Sequence, residues 1–160
     1  MVLDKIDSFL DTIFLELGKR NIDVSYLLLD HFGYQASTNE DYDSLKSEFL
    51  AMGKELSEEI VGGRRVGIFL LNQPVEYKGR SIPVVELVAP KDGQACPSAL
   101  EHVEFVIDTD FAGFIDRYPD LPFDTTKMNQ PTFPMITLKL GEHIQVKFHL
   151  QDVQEILRNK

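Results

Sequence analysis

LDHFGYQAST, residues 29–38, returns as LEHVEFVIDT at residues 100–109, and this pair of segments decides how the chain is read. The two align without gaps. Leu29 falls on Leu100, His31 on His102 and Thr38 on Thr109, an acidic residue precedes each histidine (Asp30, Glu101), and Tyr34 faces Phe105. A second match sets Leu71-Asn72-Gln73-Pro74 beside Met128-Asn129-Gln130-Pro131, in the same order along the chain. Ordered internal matches point to a repeated supersecondary unit. Each copy opens on a strand whose alternation sorts side chains into two sets. Phe32 and Tyr34 point one way and His31, Gly33 and Gln35 the other; Val103, Phe105 and Ile107 oppose His102 and Glu104. The apolar set suits a helix-covered core, which leaves the histidine set for a cavity.

Working outward, residues 3–20 carry apolar groups at helical spacing, from Leu3 and Ile6 to Leu17, with acids on the other side. A strand over 27–36 leads to an acidic helix over 40–56, capped by Thr38 and Asn39. Strands are expected at 66–71 and 81–88, punctuated by Gly62-Gly63, Pro74 and Lys78-Gly79. After the loop 89–98 the pattern restarts. It gives a strand at 101–108, a short helix at 110–118, a hairpin of 132–140 and 143–150 around Gly141-Glu142, and a helix from Asp152. The expected fold is α+β: two βαβββ modules forming paired curved mixed sheets around a central cavity, with extra N- and C-terminal helices. The organisation is read as a single domain, 1–160, with a helical extension at 1–24 and modules at 25–92 and 98–160.

The totals exclude more than they identify. The chain has 160 residues, 43% hydrophobic and 26% charged, which is an ordinary globular composition. A net charge of −10 argues against nucleic acid as a main partner and against adsorption to anionic membranes. Cys96 is the single cysteine, so neither an intrachain disulfide nor a thiolate cluster can form. The first twenty residues carry acids throughout, unlike a secretory signal, and no apolar run is long enough to span a bilayer. A cytoplasmic protein is the expectation.

The chemistry concentrates on a few residues. Of the four histidines, His31 and His102 hold the same place in the repeat, while His143 stands beside a turn and is read as surface. Glu86 lies in the apolar strand VVELV (84–88), where a buried carboxylate needs a cation or hydrogen bonds; a buried ion pair with an arginine is the plain alternative. In the last strand Ile144, Val146 and Phe148 alternate against Gln145, Lys147 and His149. Two facing sheets would bring His31, Glu86, His102 and His149 to one centre. Three imidazoles and a carboxylate suit one divalent transition metal (Zn, Fe, Ni, Co or Mn) and suit Ca or Mg poorly.

The order βαβββ twice, with ligands on first and last strands, resembles the vicinal oxygen chelate superfamily of glyoxalases and extradiol dioxygenases. More closely, the chain resembles the YecM family of bacterial proteins, in DHFGY (30–34), GGRRVGIFLLNQPV (62–75), VVEL (84–87), EHVEFVI (101–107) and KFHLQDVQEIL (147–157). The resemblance implies metal ligands at His31, Glu86, His102 and His149. It also implies a metal that holds two adjacent substrate oxygens in a lyase, isomerase or oxygenase acting on a small oxygen-rich molecule. A non-catalytic module that binds or senses a small ligand is the alternative. Anchored on Gly79 and Gly141, Phe148 falls opposite Glu86, so His149 joins the set through a one-residue shift that the KFH pattern supports. Glyoxalase-type sites usually end on a carboxylate there. Glu104, on the cavity side with His102, is the candidate catalytic base, with a solvated role as its alternative. Arg64 is the candidate contact for an anionic substrate, against a plain surface ion pair.

Overall fold

Alternation in the repeated strands sets the architecture. Phe32 on the first, with Val103 and Phe105 on the second, is fully buried on one face, and the histidine side of each strand turns to the other. The structure, a computed structural model, describes residues 1–160. Its elements are α1 (Ile6–Lys19), β1 (Leu28–Gln35), α2 (Asn39–Met52), β2 (Gly53–Val61), β3 (Arg64–Tyr77), β4 (Arg80–Val88), β5 (Ala99–Val106), α3 (Phe111–Arg117), β6 (Ile136–Lys139), β7 (Gln145–His149) and α4 (Val153–Arg158). β1 pairs antiparallel with β5, while β4 runs parallel to β1 and β7 parallel to β5. The result is one seven-stranded mixed sheet in the order β2-β3-β4-β1-β5-β7-β6. The α+β expectation holds, and the two sheets are continuous through the β1–β5 seam.

Helices α1, α2 and α3 cover the core face. Leu10, Ile13 and Leu17 of α1, Tyr42 and Phe49 of α2, and Phe114 of α3 join Phe32, Phe69, Phe105 and Phe148 of the sheet in one apolar cluster. Burying each such aliphatic or phenyl side chain contributes roughly 1.5–3 kcal/mol. The helix starts are capped from the sequence. Thr38 Oγ1 accepts from the Asp41 amide and the Asp41 carboxylate accepts from the Ser37 amide, both at 2.9 Å. Asp110 and Asp152 cap α3 and α4 in the same way. The opposite face of the sheet is closed at one end by α4, whose Val153 packs on Ile68 and Val84 with Phe133 and Leu157 alongside. No helix is long and apolar enough to cross a membrane.

Three local readings change. Helix α2 stops at Met52 rather than running to residue 56, because Gly53 opens β2. At Gly53 the neighbouring strand comes so close that a Cβ would lie 2.0 Å from the Leu70 carbonyl oxygen. Pro74 does not end a strand either: β3 runs on to Tyr77, and Pro74 sits where the register with β4 skips from Leu70 to Val75, so its missing N–H leaves no ladder bond unmade. Its repeat partner Pro131 lies in a loop, so the Asn-Gln-Pro match is not structural. Finally, the second copy has three strands, not four. The isolated bridge between Asp124 and Thr137 is all that answers to β2.

Gly53 and Gly18 give a contrasting pair of substitutions. Gly53→Ala drives a methyl into a backbone carbonyl that cannot move without breaking the β2–β3 ladder, and should lower unfolding stability by about 3 kcal/mol in urea titration. Gly18→Ala, on α1 with nothing within 4 Å, should be neutral or stabilising by up to about 1 kcal/mol.

Candidate metal centre

The face turned from the core carries a lattice of polar side chains set by strand register. On β1 and β5, His31 stands opposite Glu104 and Gly33 opposite His102. On the flanks, Glu86 of β4 pairs with Gly33, and Lys147 of β7 pairs with Glu104. His31 Nε2 lies 3.3 Å from Glu104 Oε1 and 3.6 Å from Glu86 Oε2, and His102 Nε2 lies 3.5 Å from Glu86 Oε1. Glu86 therefore spans the two histidines with one oxygen on each. Gly33 is what admits this arrangement. A Cβ there would lie 1.9 Å from His102 Cε1, so the imidazole occupies space that any side chain at position 33 would fill.

Two further acids reach the histidines through β-bulges. Between β1 and β5 the register steps from Leu29–Phe105 to His31–Glu104, passing over Asp30, and from Gly33–His102 to Tyr34–Leu100, passing over Glu101. In each copy the bulged residue is the acid of the Leu-acid-His repeat. Asp30 Oδ2 lies 3.3 Å from His31 Nδ1, and Glu101 Oε2 lies 3.4 Å from His102 Nδ1. Each copy thus presents an imidazole backed at Nδ1 by a carboxylate and aimed with Nε2 at Glu86. At His102 the contact is a hydrogen bond, the pattern by which an outer carboxylate fixes the tautomer and tilt of a ligating histidine, whereas the Asp30 contact at His31 Nδ1 lacks hydrogen-bond geometry. Strict alternation sends Asp30 and Glu101 into the apolar core, and so it misses them. The acid shared by both copies was the available signal.

Register also sorts the last strand. Gly33 and Glu104 each stand two residues after the repeated histidine, so the residue answering to Glu86 on β7 is Lys147. His149 lies two residues further on. Its Nδ1 is 2.9 Å from Glu104 Oε2 and its Nε2 is 2.9 Å from Asp30 Oδ2, close ion-pair contacts without hydrogen-bond geometry. The structure thus gathers all five side chains, with His31 between Glu86 and Glu104, His102 against Glu86 and His149 against Glu104. Arg64 opens β3 at the rim and has no carboxylate within 4.0 Å, while His143 is exposed beside Glu142. Glu86 is paired with histidines and not with an arginine.

The centre is buried and anionic. His31, His102, His149, Asp30, Glu104 and Lys147 are all at most 6% exposed. Burial pushes the carboxyls of Glu86 and Glu101 up. The opposing pull of hydrogen bonds and of the His31, His102 and Lys147 charges is stronger, and both end at about 2. The same competition, with His149 and His31 as the cations, holds Glu104 well below the usual range. Burial alone would lower His149, yet the Glu104 and Asp30 carboxylates raise it to about 9. Four carboxylates therefore face one ammonium, and they raise His31 and His149 toward their charged forms. His31 Nδ1 and Nε2, His102 Nε2, His149 Nε2 and Asp30 Oδ1 are buried with no hydrogen-bond partner. Buried polar atoms are rarely left so. Unpartnered imidazole nitrogens beside carboxylate oxygens are a donor set that fits a transition metal ion. The donors of His31, His102 and Glu104 all lie within 4.8 Å of one another, as do those of Asp30, His31 and His149. A cavity of about 130 Å³ opens on His31, Glu86, Glu104 and His149.

Comparison with known proteins agrees with this architecture. The family described as YecM protein matches residues 1–160, the whole chain. Protein YecM of Escherichia coli (strain K12) is 26% identical over 160 residues, covering 91% of this chain and 85% of the relative. An uncharacterized protein of Haemophilus influenzae is 28% identical over 86 residues, covering 54% of this chain and 45% of the relative. Among solved structures, Protein EC4020 superposes with a TM-score of 0.83 at 21% identity, covering 99% of this chain and 91% of that one. Methylmalonyl-CoA epimerase of Streptomyces coelicolor, in complex with 2-nitronate-propionyl-CoA, superposes with a TM-score of 0.53 at 12% identity, covering 76% and 96%. With its whole length matched and its sheet shared with proteins of the vicinal oxygen chelate fold, the chain belongs to the YecM family.

Proposed function

We propose that the protein is a metal-dependent enzyme of the vicinal oxygen chelate type, a lyase, isomerase or oxygenase acting on a small oxygen-rich molecule. In this reading His31, Glu86, His102 and Glu104 hold one divalent transition metal ion. The observation that carries the reading is the spacing of their donor atoms. His31 Nε2 lies 3.3 Å from Glu104 Oε1 and 3.6 Å from Glu86 Oε2, and His102 Nε2 lies 3.5 Å from Glu86 Oε1, so imidazole nitrogens and carboxylate oxygens stand close enough to share an ion. The ion supplies Lewis acidity toward paired substrate oxygens. The chain does the rest. Glu101 orients His102 through its hydrogen bond, Asp30 sets a negative charge against His31, Gly33 leaves room for the His102 ring, and His149 lies against the outer oxygen of Glu104. Glu104, kept ionised by His31 and His149, is a ligand here and too weak a base to take a substrate proton. The cavity beside Glu86 and Glu104 leaves space for a small molecule to extend the shell. A second reading, a non-catalytic module that sequesters a ligand, is favoured by the number of protein donors, since four can close a tetrahedral shell.

Metal analysis tests the ligand set. The purified protein should carry about one equivalent of divalent transition metal, and Glu86→Ala, His102→Ala and Glu104→Gln should each fall below about a tenth of an equivalent. His149→Asn should keep the ion with affinity lowered roughly 10–100-fold, as for an orienting residue. Loss of metal from His149→Asn with retention in Glu104→Gln would transfer the ligand role to His149. A wild-type protein that stays metal-free when metal is added would overturn the reading.

Thermal denaturation gives an independent check. An ion present at about 100 times its dissociation constant adds about 2.7 kcal/mol, so a chelator should lower Tm by roughly 5–10 °C. The Tm of His102→Ala should not respond to the chelator.

A further inference from the structure

Beside the metal centre lies a larger cavity of about 350 Å³, and four cations are common to both spaces: Arg64, Lys91, Lys127 and Lys147. The chain has 16 basic residues against 26 acidic ones, so four together at one opening run against its overall balance. Several basic side chains elsewhere are matched, as Arg65 is with Asp43, Lys46 with Glu58 and Arg117 with Asp108. None of these four has a carboxylate within 4.0 Å or a hydrogen-bonded side chain. Lys147 is the most telling. Only 6% of it is exposed, and yet no carboxylate comes within 4.0 Å of its ammonium.

The acids on the larger cavity are already engaged. Glu101 accepts from the Gln145 amide and backs His102, Asp124 accepts from Thr126, and Glu142 is exposed beside His143. Glu86 and Glu104 answer Lys147 only at a distance, and an ion bound between them would take up their charge. Burial lowers the pKa of Lys127, and the charges of Lys147, Arg64 and Lys91 lower it further. The opening therefore presents cationic side chains to whatever enters it.

We propose that Arg64, Lys91, Lys127 and Lys147 form an oxyanion subsite, so that the molecule reaching the metal centre carries a carboxylate or phosphate group held among them. The subsite is a property of the chain itself, whereas its role as part of the substrate pocket rests on the metal-dependent reading above. The shared chemistry is a tetrahedral or planar oxyanion, which Arg64 can meet with paired N–H donors and the lysines as point charges.

The test is calorimetric titration with inorganic phosphate and with malonate, on protein as purified and on protein treated with chelator. At least one anion should bind both forms with a dissociation constant at or below about 1 mM. Lys127→Gln, at the exposed rim, and Lys147→Gln should each weaken that binding at least about tenfold, while Lys19→Gln on α1 should leave it unchanged. Preference for phosphate or for malonate identifies the group the substrate carries. Failure of both anions to bind, or equal affinity in wild type and the Lys127→Gln/Lys147→Gln double variant, overturns the subsite. Anion binding that persists in a protein unable to take up metal leaves the subsite standing and removes the metal reading alone.

Discussion

The antiparallel pairing of β1 with β5 is the constraint on which the rest depends. It joins the two copies of the repeat into one sheet, and its register sets His31 against Glu104 and His102 against Gly33. Every polar group of the centre is placed relative to that seam. The parallel neighbours β4 and β7 then add Glu86 and Lys147 at equivalent points on either side. Because a one-residue slip would turn a whole row of side chains to the other face, the apolar residues Phe32, Val103 and Phe105 under the helices hold the histidines in place on the far side.

Much of this was legible in the residues. The ungapped LDHFGYQAST/LEHVEFVIDT match located both central strands, and alternation sent Phe32 and Phe105 to the core and His31, His102 and Glu104 to the cavity face. Glu86 betrayed itself as a carboxylate in an apolar strand. What stayed hidden depends on pairing between strands. A bulge adds one residue that only the partner strand reveals, so Asp30 and Glu101 looked like core positions. The last strand was set by glycine anchors at Gly79 and Gly141, which lead from Glu86 to Phe148; the β5–β7 ladder leads to Lys147. Similarly, Pro74 read as a strand end because sequence cannot show that the ladder is already open there.

The electrostatic balance of the centre explains why these residues occur together. Asp30, Glu86, Glu101 and Glu104 crowd into a space from which water is largely excluded, and like charges at such range repel strongly in a weakly polarisable medium. Protonated imidazoles balance them when no ion is bound, which is the sense of the raised His31 and His149. A dication would take over that balance and release protons as it entered. The core face tolerates this because it is assembled from apolar side chains that take no part in it. The small cluster of Ile68, Val84 and Val153 under α4 shields one side of the centre, and the Val153 amide donates to Asp30 at 2.8 Å.

The space above Gly33, filled by the ring of His102, has a historical consequence. The residues answering to each other in the repeat are Gly33 and Glu104, one with no side chain and one with a carboxylate turned to the centre. Two copies that once had the same sequence could not both have had room for the ring and supplied the acid. The division of labour therefore marks a lost symmetry. A change at position 33 is felt through a histidine of the other copy, and a change at 104 through His31, so the halves can now vary only as a pair.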